Sequence, residues 1–593
     1  MRRLRPPPLT PRLAAPQLRG PPPGAPGYDK IAEGLKPLLP RSIPLDEFYK
    51  WLKGRRRVVF LFGPPGTGKT YYGTQLVARG RVKLPNDVEV ALHDGQAPPA
   101  AGYFTAAMAR DAKRRWRKEF GGVCDGQVAT IHSFAVRSLG FGLKIFPPAY
   151  KTSEGYSIYG GGGAAADPAV AQELYRAEAS QRAGLKYSMD PYRPAAGNYL
   201  FQIFDYALHV GGIPALREAW LRLDRRGRSA WVGYLKLLRW PQQLVFTALT
   251  DRRVDSLCEA AGGAHKLYLL LHGGLKLDFT LAVEAARCLR QQYDIRCGGG
   301  RIRPRALLLD EFQDLSPALM SLTARIFDSV EYVVLAGDDD QTVYDGLHGA
   351  SPDAAVEVAE MIQAGEVPGE YHVLSRSFRV PEGLAQKARR VVEPIPRRVR
   401  KVWRGRDADG EIERIPCREV VNHVAREVGS GKRVFVLAVE NSTVLTMMLA
   451  LQSRGMVAAG LKGLPANMRR LYEKIVDHLT AQALDRSAAE RQVPPDVAAF
   501  LEKIRGREGE VARLLKALLD GGRGLAEKLP LFVDTVHASK GLEADVVFVV
   551  NAALNAGLQA DQRRRLTYVA LTRARERVYI VEGCGGWRWV VEV

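Results

Sequence analysis

Acidic residues are in short supply: Asp and Glu number 64 against 86 Lys and Arg, a net charge of +22 over 593 residues. An excess of that size points to a polyanionic partner, nucleic acid ahead of an anionic membrane surface. Arg-rich codon usage is the plain alternative. No C-x-x-C pair occurs among Cys124, Cys258, Cys288, Cys297, Cys417 and Cys584. The scatter argues against a zinc ribbon, an iron–sulfur cluster or a secreted disulfide framework, and for a reducing compartment. No run approaches the ~18 apolar residues of a membrane span. A cytoplasmic protein, nucleoid-associated if prokaryotic, is the expectation. Asparagine is scarce, with seven residues, and Arg-rich segments abound. Both suit a thermophile, and genome composition explains them equally well.

With 46% apolar and 25% charged residues there is ample material for several cores. Residues 1–42 open with MRRLRPPPLTPRLAAPQLRGPPPGAP, basic and Pro-rich, which reads as a disordered tail. RRRVVFLFGPPGTGKT is a strand, a glycine-rich turn and a helix start. AGYFTA at 101–106 reads as a second strand before the basic helix MARDAKRRWRKEF. Strand rhythm stops from about 136 to 274 and resumes with RALLLDEF and EYVVLAGDDD. A third block holds YHVLSRSF, RVFVLAVEN, LFVDTVHASKGLEADVVFVV and RERVYIVEG, interrupted by helical pattern from 446 to 527.

Strands alternating with helices imply α/β architecture with two doubly wound parallel sheets, each interrupted by a mainly helical insertion. The expected division is 43–135 with 275–370 as the first domain and 136–274 as its insertion. The second domain is 371–445 with 528–593, and 446–527 is its short insertion.

GPPGTGKT supplies Gly63, Pro64, Pro65, Gly66, Thr67, Gly68, Lys69 and Thr70, matching G-x-x-x-x-G-K-[ST] between a strand and a helix. Glycines let backbone N–H groups wrap phosphate oxygens, and the helix N-terminus adds its positive dipole end. Lys69 would neutralise the β- and γ-phosphates, and the Thr70 hydroxyl would ligate Mg²⁺. LLLDEFQDLS crowds three carboxylates at the end of a buried strand. Asp310 is placed to hold the Mg²⁺ shell and Glu311 to take a proton from an attacking water. An acidic strand end that merely solvates itself would not explain the accompanying phosphate loop. On residues alone this is an Mg²⁺-dependent NTPase with a basic surface.

GDDDQTVYDGLHGA (337–350), DTVHASKGLEADVVF (534–548) and RRRLTYVALTRARERVYI (563–580) add polar clusters. With DEFQD, YFTAAMARDAKRR, TIHSF, LDF and LSRSFRV, in that family's order, the chain closely resembles superfamily 1 helicases of the UvrD/Rep type. The resemblance implies two RecA-like domains and ATP with Mg²⁺ as cofactors. It implies that Gln341 senses the γ-phosphate, that Arg379 and Arg573 act as arginine fingers, and that Gly541 and Glu543 meet the nucleotide. Phe378 stands at the adenine-stacking position, and Tyr71 follows GKT where the family has Arg. Phe104, Thr130, His132, Tyr344, Thr535 and His537 fall at positions that touch a single strand, where aromatic faces stack on bases.

Several features depart from the family. No adenine-reading Gln lies between 43 and 62, so the choice of ATP over other NTPs is open. Leu347–His348 replaces an aromatic–Arg pair, and Gln562 and Arg563 replace glutamates. The second insertion is short, and the chain ends soon after its last motif, so no nuclease domain is expected. The leading expectation is an ATP-driven single-stranded DNA translocase and 3′→5′ helicase of repair, replication or recombination. It would act on single strands and tailed duplexes as a monomer or weak oligomer. The alternatives are a DNA-stimulated ATPase that remodels nucleoprotein complexes without processive unwinding, and an ATP-regulated scaffold. LRLDRRGRSAWVGYLKLLRW (221–240) reads either as an amphipathic helix with its aromatics in the core, or as a contact to duplex DNA.

Overall fold

The computed structural model describes residues 35–41, 43–140, 168–190, 193–344, 349–460, 466–484, 495–506, 508–520, 529–550 and 560–584. Most of the basic tail, the glycine run at 159–163 and Leu347–His348 lie outside them.

Two parallel sheets organise the chain. The first comprises β1 (Arg57–Phe62), β2 (Pro99–Tyr103), β3 (Val128–Thr130), β4 (Ala306–Asp310), β5 (Tyr332–Gly337) and β6 (Gly369–Val373). Their spatial order is β6-β1-β5-β4-β2-β3, with every pairing parallel. Val58 to Phe62 and Ala306 to Leu309 are fully buried. Continuous apolar runs without alternation follow from helices covering both faces of a parallel sheet. The second sheet comprises β7 (Glu411–Pro416), β8 (Val434–Ala438), β9 (Leu531–Thr535), β10 (Ala544–Val550) and β11 (Ala574–Glu582), in the order β7-β11-β10-β8-β9. It too is entirely parallel. The α/β class and RecA-like layout read from the sequence are those of the structure.

The helices that matter below are α1 (Lys69–Arg79), α2 (Ala106–Phe120), α3 (Ala196–Arg222), α4 (Arg225–Leu237), α5 (Pro352–Gln363), α6 (Glu382–Val392) and α7 (Ala560–Leu571). Among the described residues, helices and the hairpin Ile295–Cys297/Gly300–Ile302 lie between β3 and β4, and four helices, from Asn441–Gln452 to Glu508–Asp520, lie between β8 and β9.

Local readings shift in three places. The AGYFTA strand ends at Tyr103, because the Thr105 hydroxyl accepts from Met108 N–H at 3.2 Å and starts α2 as its N-cap. The YHV of YHVLSRSF, expected in the second domain, pairs Tyr371, His372 and Val373 with Phe60, Leu61 and Phe62 of β1, and so extends the first sheet. In LRLDRRGRSAWVGYLKLLRW, Trp231 and Tyr234 are fully buried and Trp240 nearly so. Tyr234 donates to Asp278 of the LDF segment at 2.7 Å, and Asp278 also pairs with buried Arg176. The aromatics therefore belong to the core of the insertion, and stacking on bases is closed to them.

The cysteines overturn an expectation. All six are paired, as Cys124–Cys297, Cys258–Cys288 and Cys417–Cys584, with Cα separations of 5.0, 5.8 and 5.2 Å. Partners up to 173 residues apart are brought together by tertiary folding, which short-range spacing cannot register. The scatter therefore does not argue for reduced thiols; disulfide-rich intracellular proteins occur in hyperthermophiles. Among the described residues no helix is long and apolar enough to cross a membrane.

Candidate nucleotide cleft and nucleic-acid face

The phosphate loop leaves β1 at its C-terminal end, and Gly63 N–H donates to the Gly337 carbonyl at 3.2 Å, tying the loop to the end of β5. Gly66 and Gly68 have φ of +75° and +88°, a region that side chains resist, and Gly68 caps the N-terminus of α1. A Cβ at Gly66 would lie 2.4 Å from the Cβ of Arg379. The close approach comes from the second half of the cleft: Ser377 Oγ donates to the Pro65 carbonyl at 2.7 Å, and Phe378 N–H to the Gly66 carbonyl at 2.9 Å.

Lys69 is buried, with its ammonium donating to the Gly63 carbonyl at 2.5 Å and the Pro64 carbonyl at 3.3 Å. Burial depresses its pKa, against the pull of Asp338, Glu311 and Asp310. Thr70 Oγ1 donates to Asp310 Oδ2 at 2.8 Å. Burial and the adjacent Glu311 carboxylate push Asp310 up to about 7. A buried carboxyl held near neutrality beside a hydroxyl is a donor set that suits a hard divalent cation. Glu311 has a φ of +54°, a rare backbone state for a side chain of this size. Burial raises its pKa, and Lys540 and Lys69 more than offset that, so the group stays an anion. Gln313 donates to Glu311 at 2.5 Å and accepts from Asp338 N–H at 2.9 Å, bracing β4 against β5.

From the second sheet, Arg573 enters almost fully buried and donates to Gln341 Oε1 at 3.0 Å and the Val569 carbonyl at 2.9 Å. Burial lowers its guanidinium to about 9, still cationic at neutral pH. Arg379, lowered by burial to about 10, is ion-paired with Glu543, which also takes Arg575. The pairing accounts for Glu543 without the nucleotide contact implied for it. Gly541 is exposed, with a φ of +82°. Phe378 and Tyr71 are 56% and 49% exposed, the open aromatic faces at this edge of the cleft.

The residues expected to touch a strand form a row in part. Phe104 and Tyr344 ring centres are 5.2 Å apart, and Tyr344 and His537 are 6.1 Å apart, so the row crosses from one sheet to the other. Tyr344 Oη donates to the His537 carbonyl at 2.9 Å. Thr130 caps its own helix by accepting from Ser133 N–H at 3.1 Å, His132 packs edge-on to His209, and Thr535 is buried. The structure therefore does not add these three to the aromatic row.

Residues given no role above prove central. Lys540 pairs with Asp314 and lies 3.7 Å from Glu311, donates to the Gln341 carbonyl at 2.7 Å, and sits 5.7 Å over the Tyr344 ring. Its presence in DTVHASKGLEADVVF was visible; its direction was not. Ser377 of LSRSFRV and Tyr568 of RRRLTYVALTRARERVYI likewise stood in quoted motifs without a role.

A phosphate loop beside a carboxylate pair at one end of the first parallel sheet, with Arg379 and Arg573 from the second half of the chain entering the cleft, defines a two-domain P-loop NTPase. Residues 52–347 match the family described as an AAA domain, and residues 530–581 match the UvrD-like helicase C-terminal domain. Together, and in this order along the chain, the two matches support a superfamily 1 helicase of the UvrD/Rep type. No curated protein matches it.

Proposed function

We propose that the protein is an ATP-driven single-stranded DNA translocase that unwinds tailed duplexes with 3′→5′ polarity. The observation that carries the reading is Lys540, which lies beside both the Glu311 carboxylate and the aromatic row. The polarity rests on the family resemblance alone. The domains are taken as 43–135 with 275–373, and 374–445 with 528–593, each with its helical insertion.

In this reading Lys69 and the amides of Gly66 to Thr70 hold the β- and γ-phosphates, and Tyr71 and Phe378 offer faces to the base. Thr70 and Asp310 would hold Mg²⁺, which would supply charge neutralisation to the phosphates when bound. Glu311 accepts the proton of the attacking water. Gln341 orients that water or the γ-phosphate. Arg573, and Arg379 once released from Glu543, stabilise negative charge on the transferred group. The single strand lies along Phe104, Tyr344 and His537, with Thr130, His132 and Thr535 as further contacts.

Strand displacement on matched 3′-tailed and 5′-tailed duplexes with ATP tests the proposal. Displacement confined to the 3′-tailed substrate is expected, and release of the 5′-tailed one alone would reverse the polarity. A DNA-stimulated ATPase that remodels nucleoprotein complexes is the second reading. The small second insertion, residues 446–527, favours it, and DNA-stimulated hydrolysis without displacement would select it.

A further inference from the structure

The acidic run after β5 does more than supply Gln341. Asp338, Asp339 and Asp340 present carboxylate oxygens within 4.8 Å of one another, a geometry that would ordinarily call for a metal cation. The cation present is the ammonium of Lys401. It lies 3.0 Å from Asp338 Oδ1 and 2.9 Å from Asp340 Oδ2 and is bonded to Asp339, with its side chain fully buried. Lys401 belongs to a strap, residues 397–401, between α6 and the short strand Arg404–Arg406. Arg398 grips Asp340 through two bonds of 2.8 and 2.6 Å, and Val399 N–H donates to Asp339 at 2.9 Å. Arg397 reaches Glu357 of α5 at 3.3 Å.

Asp338 passes this grip onward. Its Oδ2 accepts from Gln341 Nε2 at 2.9 Å and from Tyr568 Oη of α7 at 3.2 Å. With its NH₂ spent on Asp338, Gln341 turns Oε1 outward to accept from Arg573 at 3.0 Å. An amide whose donor side is fixed has its acceptor side fixed too. Burial penalises an isolated carboxylate heavily, so Asp338 can serve as that fixed acceptor only while a cation holds it.

We infer that Lys401 is a positioning residue for hydrolysis, setting the Gln341–Arg573 pair through Asp338. The inference rests on the proposed roles of Gln341 and Arg573. Removing the ammonium leaves the nucleotide contacts of the phosphate loop intact but lets Gln341 turn. Lys401→Met is therefore expected to lower kcat with little change in KM for ATP. The loss is on the order of 10–100-fold, by analogy with groups that orient metal ligands.

The experiment uses the full chain in an Asp339→Asn background. That substitution relieves carboxylate repulsion and removes a group that does not touch Gln341. Single-strand-stimulated ATPase and melting temperature are measured for this background alone, and then with Lys401→Met, with Gln341→Ala, and with both. If Lys401 acts through Gln341, the double variant loses no more kcat than Gln341→Ala alone. Multiplicative losses would overturn the inference, as would an unchanged kcat in folded Lys401→Met. Unfolding of Lys401→Met in this background would also overturn it, by making the role purely structural. Absence of ATP hydrolysis by the parent chain, without the Asp339 substitution, would instead refute the proposed function.

Discussion

The Lys540 ammonium sits 5.7 Å over the Tyr344 ring, and the same ammonium lies 3.7 Å from the Glu311 carboxylate. The face proposed for the single strand and the proposed general base thus share one side chain. A carboxylate paired with an ammonium is a weaker base, because the pair favours the deprotonated form. Lys540→Ala is expected to raise ATPase activity without DNA and to shrink the stimulation by single strand. The measurement is the ratio of kcat with and without oligonucleotide, and an unchanged ratio would break the link.

Lys69→Ala and Glu311→Gln are both expected to abolish turnover, for different reasons. The first takes a cation away from the phosphates, so nucleotide affinity falls. The second keeps shape and loses the base, so ATP binds and persists. Equilibrium binding of labelled ATP beside steady-state hydrolysis separates them. Near-normal hydrolysis by Glu311→Gln would remove its assigned role.

Arg573→Ala is expected to lower kcat by on the order of 10³, as when an arginine finger is lost. Arg379 is held by Glu543 in this structure, so Glu543→Gln is expected to free it. Measuring kcat for both variants at saturating ATP tests the pair. A drop below about tenfold for Arg573→Ala would assign the charge stabilisation elsewhere.

In the first insertion the burial of Trp231, Tyr234 and Trp240 leaves only charge for DNA to feel. Arg225 and Arg226 are exposed, whereas Arg228 donates to the carbonyls of Trp220 and Leu223 at 3.1 and 2.9 Å and closes the end of α3. Reversing Arg225 and Arg226 to Glu, with Arg228 kept, is expected to weaken tailed-duplex binding. The salt slope should fall by roughly 0.7–0.9 for each phosphate left without its arginine. ATPase activity at saturating single strand should persist. Equal slopes for variant and parent would leave this face without a DNA role.

Cys417–Cys584 joins the segment after β7 to the end of β11 and encloses 167 residues of sequence separation. Constraining so long a loop in the unfolded chain contributes about 2–4 kcal/mol. Cys417→Ser is expected to lower the melting temperature under non-reducing conditions and to leave it unchanged relative to the parent in excess reductant. Identical melting without reductant would show the bond unformed.

The phosphate loop and the carboxylate pair were legible because each is a local pattern fixed by backbone geometry: glycines at positive φ and a buried strand ending in acids. Both parallel sheets were legible for the same reason, as unbroken apolar runs. What stayed hidden depends on groups far apart in sequence. Lys401 lies in RRVRKVW, indistinguishable from other basic surface text until the strap carries it to Asp338. The cysteine pairs are equally non-local. Trp231 and Tyr234 left two readings open, since a basic stretch with aromatics has one composition whether its rings face DNA or a core.

The two hydrogen bonds from Ser377 and Phe378 to the carbonyls of Pro65 and Gly66 bolt the second half of the molecule onto the loop that grips phosphate. Any widening of the cleft stretches those bolts, and any change at the loop tugs on the strand that follows Leu374. Change at the phosphate loop and movement of the segment after Leu374 are therefore one mechanical event.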